Sequence, residues 1–261
     1  MFGIVVAFQD YSIAHGILGS KWIGFKNFKD FFSGVYFTRT LLNTLVISVY
    51  DLVVGFPAPL IFALLMNEIR QVRFKKIVQT TTYLPHFISV VVICGMIVDF
   101  FGTNGIVTKV LTWFGMPKMN YVGSAESFQT IYVLTNVWQG IGWGSIIYLA
   151  ALAGIDQDLY EAAQVDGASA FHKFFRITLP LLVPGLTISV IFSVINALRQ
   201  YDFVKIMTPQ TIETIAVNAV SRMTDYNMLG YSSAIVLVLF LFIGVVTAVQ
   251  YLILKKMEVD Y

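Results

Sequence analysis

Five long apolar stretches constrain the fold of this chain more than any other feature of its sequence. Charged residues are nearly absent from them, and the first two contain one acid each, Asp51 and Asp99. The stretches lie at about 41–66, 77–101, 128–155, 181–203 and 231–254. Each is long enough for a helix that crosses about 30 Å of hydrocarbon. We therefore predict an all-α, polytopic membrane helix bundle in which residues 1–261 form a single transmembrane domain.

The composition supports a membrane protein and excludes several other classes. The chain is 57% hydrophobic and 12% charged, whereas soluble domains average about 45–50% apolar and about 25% charged residues. A net charge of +2 gives no bulk basic character, so we predict a lipid bilayer and no nucleic acid as partner. Cys94 is the single cysteine, which excludes a disulfide or a cysteine zinc site within the chain.

The N-terminal region is apolar at first and then mixed. Residues 1–8 are too short to span a bilayer. We expect them to be the end of a truncated first span, which would complete a six-helix core; the alternative is a surface anchor. Residues 9–40 are rich in aromatic side chains, and we predict an outer-surface stretch with an interfacial helix near 27–33.

The short segment 67–76 predicts the orientation of the chain in the membrane. It packs four basic residues into a short loop, namely Arg70, Arg73, Lys75 and Lys76. Because short cytoplasmic loops concentrate lysine and arginine, this loop is predicted to be cytoplasmic. The segment 156–180 then also faces the cytoplasm, while 102–127 and 199–230 lie outside.

The polar segment 156–180 between two apolar stretches predicts a helical hairpin. Asp158 and Glu161 have the spacing of a capping box, which predicts a short helix over about 159–165. Gly167 supplies a turn, and Glu161 is then either a functional residue or only part of a cap in an ordinary loop. Ser169 is the predicted cap of a second short helix.

We expect that second helix, over about 170–176, to stop before Pro180. Proline disfavours a helical conformation at the residue before it, here Leu179. The next apolar stretch would then begin after the proline as a separate helix.

The hairpin resembles the signature loop of permease subunits of binding-protein-dependent ATP-binding-cassette (ABC) importers. The matching residues, at the spacing of that loop, are Glu161, Ala162, Ala163, Gly167, Ile177, Leu179 and Pro180. The order of the spans, the basic second loop and "YLPHFIS" at 83–89 are similar to the carbohydrate-uptake, maltose-permease-like branch. The resemblance covers essentially the whole chain.

This resemblance implies a fold, a location and a set of partners. The fold would be a type I ABC importer permease core with its first helix truncated, in the bacterial cytoplasmic (inner) membrane. The partners would be a second permease subunit, two ATP-binding subunits, an extracytoplasmic solute-binding protein and a carbohydrate. The residues implied in coupling to the ATP-binding subunit are Glu161, Ala162, Ala163, Asp166, Gly167, Ile177, Leu179 and Pro180.

No catalytic or metal site is predicted in this chain. The sequence has no G-x-x-x-x-G-K-[ST] phosphate loop, so ATP and magnesium would belong to the ATP-binding partner and the chain needs no cofactor. The histidines His15, His86 and His172 lie far apart and form no H-E-x-x-H motif. We interpret His86, which follows Pro85, as a bundle or hinge residue.

Polar and aromatic residues within the spans are the candidates for the substrate pathway. Amides and carboxylates suit sugar hydroxyls, and aromatic faces suit the apolar faces of pyranose rings. Our candidates are Asn43, Tyr50, Asp51, Asn136, Gln139, Trp143, Asn196 and Arg199. Alternatively, these amides join helices to one another and the tryptophan anchors the membrane interface.

The predicted function is that of a membrane-spanning subunit in an ATP-driven importer, which translocates a carbohydrate of oligosaccharide size delivered by the binding protein. Three alternatives stay open at this point: a permease for another small polar solute such as glycerol phosphate, an ion-coupled secondary transporter, or a membrane scaffold. Few acids and no visible repeat speak against the secondary transporter, and the signature loop speaks against the scaffold.

Overall fold

Helices form most of this computed structural model, which describes residues 2–207 and 212–259. The helices are α1 (Phe2–Val6), α2 (Gly16–Gly19), α3 (Lys26–Phe32), α4 (Phe37–Tyr50), α5 (Pro57–Glu68), α6 (Val72–Tyr83), α7 (Val90–Phe101), α8 (Ile106–Trp113), α9 (Ala125–Ala153), α10 (Gln157–Val165), α11 (Ala170–Lys173), α12 (Leu179–Leu198), α13 (Asp202–Met207), α14 (Ile215–Thr224) and α15 (Leu229–Val259). Two short antiparallel strands, β1 (Gln9–Asp10) and β2 (Lys21–Trp22), form a hairpin near the N-terminus. The predicted all-α class is confirmed.

The first apolar stretch forms one long helix that runs through a widened turn. Helices α4 and α5 are joined by a π-helical turn at Asp51–Gly55, in which the Phe56 amide donates to the Asp51 carbonyl over 3.2 Å. Pro57 has no N–H to give, and its ring would clash with a carbonyl in a regular helix. The wider turn accommodates the proline, so the helix continues from Phe37 to Glu68.

The second stretch differs from the single helix expected over 77–101. Helix α6 ends at Tyr83, a 3₁₀ turn covers Leu84–Phe87, and α7 begins at Val90. Pro85 lies in this turn and cannot donate a backbone hydrogen bond, and Ile88 is extended. The chain therefore breaks in the middle of the stretch and presents the turn to the interior of the bundle.

Helices that can cross a membrane overlap the five apolar stretches, but the second candidate begins only at Val90 and extends beyond the predicted end at residue 101. Within the described residues, three helices are long and apolar enough: Phe37–Glu68, Val90–Trp113 and Leu229–Ile253. The number rises to five if two bent pairs each count as one span. These pairs are Ala125–Ala153 with Gln157–Val165, bent by 65°, and Ala170–Val183 with Gly185–Met207, bent by 62°.

Helix α9 packs closely on the first two stretches through glycine. A Cβ atom added at Gly142 would lie 2.3 Å from the Thr82 carbonyl oxygen, and one at Gly144 would lie 3.1 Å from the Pro59 ring. The absence of side chains at these positions lets the backbones approach each other, as is common between membrane helices. This contact fixes α9 against the end of α6.

The N-terminal hairpin is attached to the start of α15. Asn27 is buried and donates to the carbonyl oxygens of Ala7 and Gln9 over 2.9 and 3.2 Å. Gly230 lies so close that an added Cβ would be 2.3 Å from the Gln9 carbonyl oxygen. Asn27 belongs to α3, so the helix predicted near 27–33 is present.

Candidate functional site

A cavity of about 740 Å³ opens where several helices and turns meet. Its wall comes from the π-turn after α4, the start of α5, the 3₁₀ turn, the start of α7, the middle of α9, the end of α12 and the start of α13. The polar and aromatic side chains that line it belong to Asp51, Phe56, His86, Ser89, Tyr132, Asn136, Gln139, Ser193, Asn196, Arg199, Gln200, Tyr201, Asp202 and Phe203.

Asp51 is the acid that the π-turn places in this wall. The Gln200 side-chain amide donates to Asp51 Oδ2 over 3.4 Å, and Asn136 lines the same cavity. Gly55 leaves room for the carboxylate, because an added Cβ would lie 3.0 Å from Asp51 Oδ1. The segment between α12 and α13 is thus joined to the π-turn through one carboxylate.

An aromatic cluster forms another part of the wall. The His86 and Trp143 rings are parallel, with centroids 4.7 Å apart and planes at 2°. Phe87 stands edge-on to both rings at centroid distances of 5.7 Å. His86 lines the cavity, and Trp143 stacks on the His86 ring. Next to them, Gln139 donates to the Ile88 carbonyl oxygen over 3.5 Å.

Most of the predicted pathway residues are brought together by the fold. Those that line the cavity are Asp51, Asn136, Gln139, Asn196 and Arg199, and Trp143 reaches it through His86. Asn43 instead donates to the Glu213 carbonyl oxygen over 3.1 Å, and the Tyr50 hydroxyl to Thr130 Oγ1 over 3.5 Å. One residue step turns a helix by about 100°, so Tyr50 and Asp51 lie on different faces.

The polar and aromatic wall residues that are not among the sequence candidates are Phe56, His86, Ser89, Tyr132, Ser193, Gln200, Tyr201, Asp202 and Phe203. Tyr132 had a usable signal, because it lies four residues before Asn136 on the same helix face. His86 was interpreted as a bundle or hinge residue; it does lie in the helix break, but it also faces the cavity. Ser193 had no signal beyond its place in an apolar helix.

The polar segment after α9 forms the predicted hairpin, with a different first cap. Asp156, not Asp158, is the N-cap of α10, since Asp156 Oδ1 accepts from the Asp158 amide over 3.1 Å. Helix α9 ends at Ala153, so Asp156 is the extended residue that precedes the new helix and Asp158 lies in its first turn. The capping box with Glu161 is therefore wrong. Gly167 makes the turn with φ of +77°.

The second limb of the hairpin runs without a stop into the next long helix. Ser169 caps α11 as predicted and accepts from the His172 amide over 3.3 Å. The expected end before Pro180 is wrong: a π-helical turn at Phe174–Thr178 joins α11 to α12. As at Pro57, the widened turn accommodates the proline within a continuous helix.

The hairpin holds its limbs together and exposes apolar side chains. The hydroxyls of Tyr160 and Thr178 are hydrogen bonded at 2.8 Å. Val165 is 88% exposed and Phe171 is 73% exposed, and both flank the turn at Gly167. Large apolar side chains of this exposure, at the tip of a rigid hairpin, are typical of a surface that binds another protein.

Lys205, in α13 near the cavity, is paired with Asp225, and neither residue lines the wall. Lys205 forms an ion pair with Asp225 at 3.2 Å and donates to Ser221 over 2.7 Å. Hydrogen bonds from Thr224 and Lys205 lower the pKa of Asp225. Among the described residues, no group of three or more histidine, cysteine or acidic side chains is placed to hold a metal ion.

Comparison with known proteins gives a consistent family match. The family described as "Binding-protein-dependent transport system inner membrane component" matches residues 55–259. Protein LplB of Bacillus subtilis (strain 168) is 38% identical over 218 residues, which cover 83% of this chain and 69% of that protein. The polygalacturonan/rhamnogalacturonan transport system permease protein YteP of the same organism is 41% identical over 200 residues, covering 76% of this chain and 62% of that protein.

A solved structure matches the fold along the whole chain. It is a bacterial ABC transporter involved in the import of the acidic polysaccharide alginate, with a TM-score of 0.85 and 32% identity. The match covers 100% of this chain and 88% of that chain. By contrast, this chain spans only about two thirds of the length of the two Bacillus relatives.

Proposed function

Because the chain belongs to the family of binding-protein-dependent transport system inner membrane components, we propose that it is the membrane-spanning subunit of an ATP-driven importer for an oligosaccharide. The family predicted from the signature loop is confirmed, and with it the inner-membrane location. The chain is a transport permease and not an enzyme, and neither an ion-coupled transporter nor a scaffold fits this family.

One observation carries the proposal: two of the helices that line the cavity, α9 and α12, are the two that flank the hairpin. Helix α9 provides Tyr132, Asn136 and Gln139 to the cavity and then leads into α10. Helix α12 continues from the second limb and provides Ser193 and Asn196 at its far end. A displacement of the hairpin therefore reaches both sides of the cavity through continuous backbone.

The cavity has the chemistry that a sugar requires. Amides, hydroxyls and the Asp51 carboxylate offer donors and acceptors for sugar hydroxyls, while aromatic rings of the wall, among them His86 and Tyr201, offer faces for apolar ring surfaces. Named relatives transport saccharides of this size class, including arabinooligosaccharides in Bacillus subtilis (strain 168). An oligosaccharide is therefore the substrate class that fits the wall best.

The hairpin is the coupling element of the proposed importer. Val165 and Phe171 would enter an apolar groove on an ATP-binding subunit, and Glu161 and Asp166 would offer negative charge beside it. Gly167 sets the turn, while Ala162 and Ala163 leave space for a close approach. Ile177, Leu179 and Pro180 would transmit the movement into α12.

The proposed assembly contains partners that carry the remaining functions. Two ATP-binding subunits hold ATP with magnesium and hydrolyse it, so this chain needs no cofactor of its own. A second permease closes the open side of the cavity, and an extracytoplasmic binding protein delivers the sugar. Transport by this chain alone, as a purified monomer, would refute this assembly.

Alanine at Asn136 or Gln139 tests the pathway in the complete transporter. We expect oligosaccharide uptake to fall about ten-fold for each variant. One lost hydrogen bond to a bound ligand costs about 0.5–1.5 kcal/mol, and the sugar hydroxyl that the amide would bind is left unpaired in the cavity. The amount of assembled complex should stay the same. Asn43→Ala is the matched control, because Asn43 bonds outside the cavity; an equal loss of uptake there would contradict the assigned pathway.

A further inference from the structure

Arg199 stands out among the residues of the cavity wall because its charge has no partner. Within residues 2–207 and 212–259 its guanidinium forms no ion pair and no side-chain hydrogen bond. Its backbone ends α12, with the Arg199 amide donating to the Asn196 carbonyl oxygen over 3.1 Å. The side chain is exposed in the cavity wall with five N–H donors free.

The acids nearest to this arginine in the wall are engaged in other ways. Asp51 accepts a hydrogen bond from Gln200. Asp202 begins α13, where the positive end of the helix dipole favours an acid. Neither forms an ion pair with Arg199, so no carboxylate of the described chain neutralises it.

The neighbouring cation cannot take over the role of Arg199. Lys205 is held by Asp225 and Ser221 away from the wall. The basic side chains that line the cavity are therefore Arg199 and the stacked His86. An arginine in this position has the planar fork that binds a carboxylate through two parallel hydrogen bonds.

We propose that the cavity takes an oligosaccharide that carries carboxylates, and that Arg199 binds one of them. The inference rests on the proposed function and names the substrate class of the same site. The uronate carboxylate lies on Arg199, and the hydroxyls of the same and neighbouring sugar rings bind the amides around Asp51. A neutral sugar leaves the guanidinium without its bidentate partner.

The test compares an acidic sugar with its neutral ester in the reconstituted complete transporter. Oligogalacturonate and the same oligomer with its carboxyls methyl-esterified have the same rings and hydroxyls but differ in charge. Uptake of both is measured for wild type, Arg199→Gln and Arg199→Lys, with Lys109→Gln as a control for charge loss on a surface helix. For each variant, the uptake of the acid is divided by the uptake of the ester, and this ratio is then divided by the wild-type ratio. Because every variant uses the same binding protein, its own preference for one of the two sugars cancels.

We expect wild type to import the acid, and Arg199→Gln to lower the acid-to-ester ratio about ten-fold or more, the size of a lost charge-assisted hydrogen bond. Arg199→Lys should retain part of the ratio, and Lys109→Gln should leave it at the wild-type value. An unchanged ratio in Arg199→Gln overturns the inference. So does an equal loss of acid and ester, or loss of the assembled complex in both arginine variants, because Arg199 then serves assembly.

Two further outcomes separate this inference from the proposed function. Import of neutral oligosaccharides but not of the acid by wild type overturns the substrate class and leaves the importer in place. Failure of wild type to import any oligosaccharide, acidic or neutral, overturns both.

Discussion

The cavity wall and the hairpin lie at opposite ends of the same two helices, yet their side chains are arranged in opposite ways. In the wall, polar groups from distant parts of the chain bond to one another, as Gln200 does to Asp51. At the hairpin tip, Val165 and Phe171 expose most of their surface, and the Phe171 ring contacts the neighbouring Phe175 ring, at a centroid distance of 4.4 Å. On the proposed function, the wall would bind a ligand with side chains that already contact one another, whereas the exposed side chains of the tip would be covered only by another subunit.

This difference predicts two separable kinds of defect. Changes in the wall should alter uptake while the subunits stay together, and changes at the hairpin should weaken capture of the ATP-binding subunit. The variants below test that separation, beginning with the one for which we expect the largest effect.

Gly167→Pro should separate the hairpin from its partner. The glycine has φ of +77° and its amide donates to the Gln164 carbonyl oxygen over 3.1 Å; proline fixes φ near −65° and has no N–H. We expect co-purification of the ATP-binding subunit to fall more than about ten-fold, with uptake falling in proportion, while membrane insertion is unchanged. Gly167→Asn is the control, because asparagine tolerates positive φ, and full retention in the proline variant would mean that the loop only connects spans.

Gly142→Ala should damage the wall through backbone packing. The new Cβ would meet the Thr82 carbonyl oxygen at 2.3 Å, so α9 must shift away from α6. Overpacking of this kind costs about 1–3 kcal/mol, which thermal unfolding of the purified complex would record as a lower Tm.

Gly140→Ala is the matched control for that variant. It lies two residues away in α9 and an added Cβ there meets nothing within 4 Å, so the Tm of this variant should stay at or above the wild-type value. Equal Tm changes at Gly140 and Gly142 would show that helix flexibility, and not close packing, sets the stability of the wall.

Glu161→Ala should have the smallest effect and leave the hairpin itself intact. Since Asp156 is the cap of α10, loss of Glu161 removes only an exposed charge toward the partner, worth about 1 kcal/mol or less. Asp156→Ala removes the cap and should cost about 0.5–2 kcal/mol of helix stability. Binding titrations of the ATP-binding subunit, with helix content followed in parallel, should show weaker binding in both variants and a loss of helix only in Asp156→Ala.

The apolar pattern predicted the class of fold, the five stretches and the hairpin, because each depends on neighbours in the sequence. Gly167 and Ser169 follow local backbone preferences, and the structure has them at the predicted turn and at the predicted helix cap. The two π-turns and the break at Pro85 were missed, since apolar residues alone do not reveal the hydrogen-bond register around a proline. The preference of the residue before a proline predicted that the helix ends before Pro180, but the wider π-turn accommodates the proline and the helix continues.

The cavity was predictable only where its residues share one helix. The face that carries Asn136 and Gln139 follows from spacing within α9. The contact of Asp51 with Gln200 joins positions 149 residues apart, and the stack of His86 on Trp143 joins two different stretches. Such pairs depend on how the helices pack, which single-sequence periodicity does not contain.

The hydrogen bond between Tyr160 and Thr178, 18 positions apart, closes the hairpin into a ring. A ring passes a pull on one limb to the other, so α9 and α12 would turn together when the tip is displaced, and the two sides of the cavity would change at the same moment. One hydroxyl pair contributes only about 1 kcal/mol, comparable with thermal energy at room temperature. In the proposed importer the ring would therefore open and close during each transport cycle, and movement of the ATP-binding partner would reach both sides of the cavity only while the ring is closed.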